Sequence, residues 1–283
     1  MSGKVTFRGN PLTLVGRKVL IGTIAPDFKV TSQDLKPVTL EDFKGKVKVI
    51  TSFPSIDTPV CDLQVKEFNK RATGLSSDVV IVGISKDLPF AQKRFCETFD
   101  IKNVQVVSDY QTTSFGINYG LLIKELNLLG RSVIIVDKSD TVRYFQLVEE
   151  ITKSPDYDDV LKNLAEILKS SAQPAQEVSP AKCKPCEAGV AALSKEKIEK
   201  LIAQHSGWEL VEDKKLVKEF SFKDFVEAKY FLDLVAAVAE EQGHHPTLTI
   251  IYNKVRVTLT THAAGGLTDN DFIMSKIIDE LGF

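Results

Sequence analysis

Residues 54–64 read PSIDTPVCDLQ. Pro54 and Pro59 stiffen this stretch and withhold two backbone donors. From Cys61 onward, Val65, Phe68 and Ala72 fall at i+4, i+7 and i+11, one face of a helix. A cysteine on such a face can be a small buried hydrophobe. At a helix start it can also be an anion, because unpaired N–H groups and the macrodipole favour a thiolate there. Thr58 lies one turn upstream, where its hydroxyl can bond the sulfur or an oxygen that the sulfur attacks. Arg131, which opens the run RSVIIVD, is a candidate positive charge or a solvated turn residue, and spacing alone does not place it.

The flanks supply a fold around this helix. VKVITSF before it and DVVIVGIS after it are short Val/Ile runs of the kind found in buried parallel strands. Pro89 opens a second helix with Ala91, Phe95 and Phe99 as its expected stripe. VQVVSD and SVIIVD are further strands, DTVRYFQLV pairs back antiparallel, and DYDDVLKNLAEILK is a closing amphipathic helix. At the start, VTFRGNPLTLVG reads as a hairpin turning at Gly9-Asn10-Pro11. This alternation implies a three-layer α/β sandwich over residues 1–168.

Residues 169–182, KSSAQPAQEVSPAK, break every periodicity and read as a linker. From 183 to 283 the order changes. A helix capped by Ser194 precedes a hairpin turning at Asp213-Lys214. A long helix stopped by Gly243, a hairpin turning near Asn253 and a last helix follow. The pattern αββαββα implies an α+β domain, an antiparallel sheet with helices on one face.

The 283 residues carry a net charge of -2 and 43% hydrophobic side chains, which argues against a nucleic-acid or membrane-surface protein. No apolar run is long enough to span a bilayer and no signal-peptide pattern is seen, so a cytoplasmic setting is expected. Four cysteines in a reducing compartment read as redox, catalytic or metal-binding groups.

Three of the four histidines, His244, His245 and His262, fall in one stretch. Strand parity puts His245 with Thr247 and Thr249, and His262 with Thr260, Thr258 and Arg256, on the polar side of the sheet. Zinc ligation, acid–base catalysis and plain structural roles are all open on spacing alone.

Two resemblances narrow these options. PSIDTPVC fits the peroxiredoxin pattern P-x-x-x-[ST]-x-x-C, and the wider match through RFCETFDIKNVQVVSD to LLGRSVIIVD resembles the atypical two-cysteine thiol peroxidases. That resemblance implies a thioredoxin-like fold, a peroxidatic Cys61 and a resolving Cys96. It also implies that Pro54, Thr58 and Arg131 shape the peroxide site and that a thioredoxin-like protein is the reductant. Because Cys96 directly follows Phe95 of the helix stripe, local unwinding is expected before the two sulfurs meet. Residues 183–283 are similar to pterin-4a-carbinolamine dehydratases in Trp208, Glu240, His244, His245, Pro246, Tyr252, His262 and Asp271. This similarity implies loss of water from a 4a-hydroxytetrahydropterin without metal or cofactor. The same similarity implies that His244, His245 and His262 form the acid–base set and that Glu240, Asp271 and Trp208 orient or bind. A rival reading makes this second domain a non-catalytic binding or dimerisation module, and another makes the first domain a redox sensor. Both families imply a homo-oligomer. Cys183 and Cys186, a C-x-x-C pair, stay open between a redox pair, half a zinc site and no chemistry.

Overall fold

The computed structural model describes residues 4–169, 183 and 191–281. The chain divides near residue 180 into two compact units. Most of the expected linker, together with Cys186, lies outside the described residues. No helix among the described residues is long and apolar enough to cross a membrane.

In the first unit the elements are, in order, β1 (Lys4–Phe7), β2 (Asn10–Val15), β3 (Lys29–Thr31), β4 (Pro37–Thr39), β5 (Val47–Ser52), α1 (Pro59–Ala72) and β6 (Val79–Ser85). They continue with α2 (Pro89–Thr98), β7 (Gln105–Ser108), α3 (Ser114–Asn118), β8 (Leu122–Ile123), β9 (Leu128–Leu129), β10 (Ser132–Val136), β11 (Val142–Leu147) and α4 (Tyr157–Lys169). A seven-stranded sheet runs β11-β10-β5-β6-β7-β3-β4. As the Val/Ile runs predict, β5, β6 and β7 are parallel, whereas β10 joins β5 antiparallel and β11 closes that edge.

Because side chains alternate across a strand, this sheet carries a core on each face. Val49, Ile81, Val106 and Ile135 pack with Val65, Phe68, Phe95 and Leu164 from α1, α2 and α4. Ile50, Val82, Val107 and Ile134 pack with Phe28, Phe115 and Tyr119 on the other face. The result is the three-layer, thioredoxin-like arrangement. On α2 the inward face is Gln92, Phe95 and Cys96. Phe99, expected in the stripe, is the C-cap and is 44% exposed, with the Lys66 ammonium 3.3 Å from its ring centroid.

The N-terminal hairpin turns one step earlier than its Gly-Asn-Pro signal suggests. Phe7 pairs with Asn10 and Thr6 with Pro11, so Arg8 and Gly9 form the two-residue turn. Both have positive φ, 52° and 80°, as a type I′ turn requires, and this twist matches the strands. Asn10 and Pro11 belong to β2.

The second unit contains α5 (Lys195–Ile202), β12 (Glu209–Val211), β13 (Lys215–Ser221), α6 (Phe225–Gln242), β14 (Thr247–Ile251), β15 (Lys254–Leu259) and α7 (Asp269–Asp279). Its antiparallel sheet runs β12-β13-β15-β14. Ser194 caps α5 by accepting from the Lys197 amide, and Gly243, with φ 62°, ends α6. Leu216, Val255, Val257 and Leu259 form the buried face of the sheet, and Phe231, Val235 and Val238 the buried face of α6, matching the αββαββα expectation.

One carboxylate locks the N-terminal hairpin to the segment after β11. Glu150 accepts from the Thr152 hydroxyl at 2.6 Å, the Thr6 hydroxyl at 2.9 Å and the Arg8 and Gly9 amides at 3.1 Å each. The Thr152 hydroxyl first, then these other donors, hold its carboxyl well below the ordinary carboxylate range. A carboxylate lowered in the folded state stabilises the fold above its unfolded pKa, and that contribution is lost as pH falls through the acid range. Thermal melts should therefore show Glu150→Gln with a lower Tm than wild type at pH 7. The gap should narrow as pH drops below about 4; a constant gap would contradict this role.

Candidate active sites

Cys61 occupies the first turn of α1, two residues after Pro59 and fully buried. Its sulfur faces two donors from different parts of the chain. The Thr58 hydroxyl lies 2.8 Å from Sγ, and Arg131 Nη2 donates to Sγ at 3.3 Å. Thr58 is local, placed by the turn that starts the helix. Arg131 arrives from the start of β10, seventy residues away in sequence. It is 1% exposed, so the solvated-turn option for it fails.

A guanidinium keeps its charge and must be satisfied when buried. Arg131 donates through Nε and Nη2 to the Ile151 carbonyl at 3.1 and 2.7 Å, and through Nη1 to Gln64 Oε1. Gln64 in turn donates to Thr51 Oγ1 at 2.5 Å and to the Ser52 carbonyl at 3.3 Å. Among the described hydrogen-bond partners of Arg131 none is a carboxylate, and the Cys61 thiol is the one that can become an anion. Gln64 carries a signal in the sequence, a polar residue on an apolar helix face three positions after Cys61. The Ile151 carbonyl has no sequence signal, since every residue carries one.

Pro54, just beyond the end of β5, is buried. Cys96 faces inward from α2 and belongs to the same core layer as Cys61; both are free thiols. Gln33 Nε2 donates to Cys96 Sγ at 3.2 Å. Burial pushes the Cys96 thiol up from its ordinary value, the Gln33 bond pulls it partly back, and Glu97 adds to the rise.

In the second unit, β14 begins at Thr247 and β15 ends at Leu259, and Thr247 pairs with Thr258. His244 and His245 therefore precede one strand and His262 follows the other at the same end of the ladder. None of the three is in a strand: His262 lies in a short 3-10 turn, His262–Ala264. Strand parity consequently does not set their directions. His245 and His262 are exposed, but His244 is 4% exposed. Its Nε2 lies 2.8 Å from Asp271 Oδ1.

Asp271 is fully buried and uses its other oxygen to accept from the Thr268 amide at 2.7 Å and the Thr261 hydroxyl at 2.8 Å. One carboxylate thus completes the capping box of α7 and holds an imidazole. His245 Nε2 is 3.2 Å from Glu240 Oε1 in an exposed pair. Trp208 is 5% exposed and its indole donates to Asp279 at 3.0 Å, which ties it to α7. Among the described residues, no three His, Cys, Asp or Glu side chains converge as metal ligands. A cavity of about 680 Å³ lies on the open sheet face, lined by Glu209, Lys215, Val217, Arg256 and Thr258 rather than by the histidines. Cys183 is buried against the end of α6 and the start of α7. Its amide donates to Gln242 Oε1 at 3.1 Å and its thiol lies 3.6 Å from the Asn270 carbonyl.

A family model described as Redoxin matches residues 20–161. A second, described as pterin 4 alpha carbinolamine dehydratase, matches residues 191–281. A thiol peroxidase of Halalkalibacterium halodurans is 47% identical over 158 residues, 56% of this chain and 95% of that protein. A thiol peroxidase of Bacillus subtilis is 47% identical over 155 residues, 55% and 92% of the two. The crystal structure of a peroxiredoxin-like protein from Aquifex aeolicus is 42% identical, covers 59% of this chain and 98% of its own, and superposes with a TM-score of 0.56.

The surroundings of Cys96 make its thiol harder to ionise than that of an ordinary cysteine. Only thiolate is alkylated quickly, and a raised thiol needs higher pH to ionise. In the Cys61→Ser chain, iodoacetamide labelling of Cys96, read by peptide mass spectrometry, should be slow at pH 7 and still rising at pH 9. A plateau below pH 8 would contradict the raised thiol.

Proposed function

The chain belongs to the Redoxin family, and from that premise we propose that it reduces hydroperoxides at Cys61 and, in its second domain, dehydrates a 4a-hydroxytetrahydropterin. The observation that carries the first activity is the buried Cys61 sulfur between the Thr58 hydroxyl and the Arg131 guanidinium. The thiolate attacks one hydroperoxide oxygen, so an S–O bond forms and the O–O bond breaks. Sulfur is oxidised by two electrons to a sulfenic acid, and the departing alkoxide or hydroxide takes up a proton. Thr58 and Arg131 orient the peroxide and stabilise the charge that develops on the leaving oxygen. The Cys96 thiol then attacks the sulfenic sulfur, water leaves, and a Cys61–Cys96 disulfide results. Both sulfurs start within the core, so part of α2 opens for this step. A thioredoxin-like dithiol reduces the disulfide by exchange.

For the second activity, the match of residues 191–281 to the dehydratase model is the main support. His245 and His262 are the exposed members of the histidine set. One imidazole protonates the departing C4a hydroxyl while another accepts the N5 proton. His244, held by Asp271, contributes a fixed ring, and Glu240 acts on His245 through their pair.

Assays of both reactions on three full-length proteins test the scheme. Cys61→Ser should lose peroxide turnover by at least about 10³-fold and keep dehydration, and His245→Ala should show the converse with a loss of about 10²-fold. Joint loss in either variant would contradict independent sites.

A further inference from the structure

The geometry points to Asp87 as a positioning residue of the peroxidase site, acting on Cys61 through Ser55 and Thr58. The inference rests on Cys61 being the nucleophile. Asp87 lies between the end of β6 and the start of α2, outside the sequence stretch that carries the reacting sulfur. Its carboxylate nevertheless holds that stretch: Oδ1 accepts from the Ser55 hydroxyl at 2.7 Å and Oδ2 from the Ile56 amide at 2.9 Å. Oδ2 also accepts from the Ser85 hydroxyl at 2.6 Å. Bonds to an ionised oxygen are the strong, short kind, so a loop with little regular structure of its own is fastened at two successive residues.

The anchor is itself fixed to the sheet. Gln92 donates to Ser85 Oγ at 3.0 Å and to the Val107 carbonyl at 2.9 Å, and the Ser108 hydroxyl donates to the Asp87 carbonyl. In the other direction the chain of contacts reaches the sulfur. The Ser55 carbonyl accepts from the Thr58 amide at 3.1 Å and lies 2.9 Å from the Thr58 hydroxyl, which is 2.8 Å from Cys61 Sγ. That hydroxyl has one proton and two acceptors within reach. The position of the Ser55 carbonyl therefore sets where the hydroxyl lies and how readily its proton turns to the sulfur or to a bound peroxide oxygen. Asp87 also stands two residues before Pro89, which opens the helix bearing Cys96, so one carboxylate ties the Cys61 loop to the root of that helix.

Asp87→Asn keeps the shape but replaces an acceptor oxygen with an NH₂ donor, so the amide cannot satisfy all three donors. In the full chain carrying Cys96→Ser, the rate of Cys61 sulfenic acid formation with hydrogen peroxide can be followed by rapid quenching, dimedone trapping and peptide mass spectrometry. The expected result is a loss of about tenfold, since small misplacements of reacting groups cost rates of this order, with the circular dichroism spectrum unchanged. Ser55→Ala, which cuts the same relay one link closer, should reproduce the loss and decides the matter if Asp87→Asn does not fold. In a Thr58→Val background, Asp87→Asn should cost less than about twofold further, because its effect passes through the missing hydroxyl. An unchanged rate in the folded variant, or a tenfold loss that persists without Thr58, would overturn the assignment. Peroxide-dependent adduct in the Cys61→Ser chain, located at another residue, would instead overturn the reading of Cys61.

Discussion

Everything in the first domain converges on a charge held where water cannot reach it. Arg131 is sealed between β10 and α1, and its hydrogen bonds go to one backbone carbonyl, one side-chain amide and the Cys61 sulfur. A hydrogen bond to a charged group is worth about 1.5–3 kcal/mol, so each neighbour is constrained to stay in place. The same guanidinium donates to Sγ in the first turn of α1. Stability and reactivity thus draw on one contact.

The supports of that contact come from distant segments. The Ile151 carbonyl that takes two Arg131 bonds follows Glu150 directly. Glu150 fastens its segment to the N-terminal hairpin, and the Ile151 amide donates to the Thr6 carbonyl as well. On the other side, Ser55 and Asp87 hold the loop that presents Thr58. The hairpin and the β6–α2 junction, both far from Cys61 in sequence, therefore act as its frame. The second domain shows the same economy at Asp271, where the carboxylate that caps α7 also fixes His244.

Much of this was legible in the residues. Cys61, Val65 and Phe68 lie on the inward face of α1 as their spacing requires, Pro89 opens α2, and Gly243 ends α6 in the left-handed conformation that glycine tolerates. Less legible were features decided by competition between local signals. Gly9-Asn10-Pro11 looks like a turn, but pairing of Thr6 with Pro11 moves the turn to Arg8-Gly9. Ala91 and Phe99 fit a helical stripe, but α2 ends at Thr98 and leaves Phe99 at the surface.

Local periodicity and punctuation determined the order of helices and strands, the change of architecture between the two parts, and which cysteine begins a helix. These follow from 3.6- and 2-residue repeats and from the backbone limits of proline and glycine, which act within a few residues. Tertiary structure alone decided that Arg131 is buried against Cys61, that Gln64 and the Ile151 carbonyl brace it, that Asp87 fastens the loop before Cys61, and that His244 is closed in while His245 and His262 face outward. Those outcomes depend on which distant segments share a desolvated space, and the demand of a buried charge or polar group for partners is settled only when the chain has closed around it.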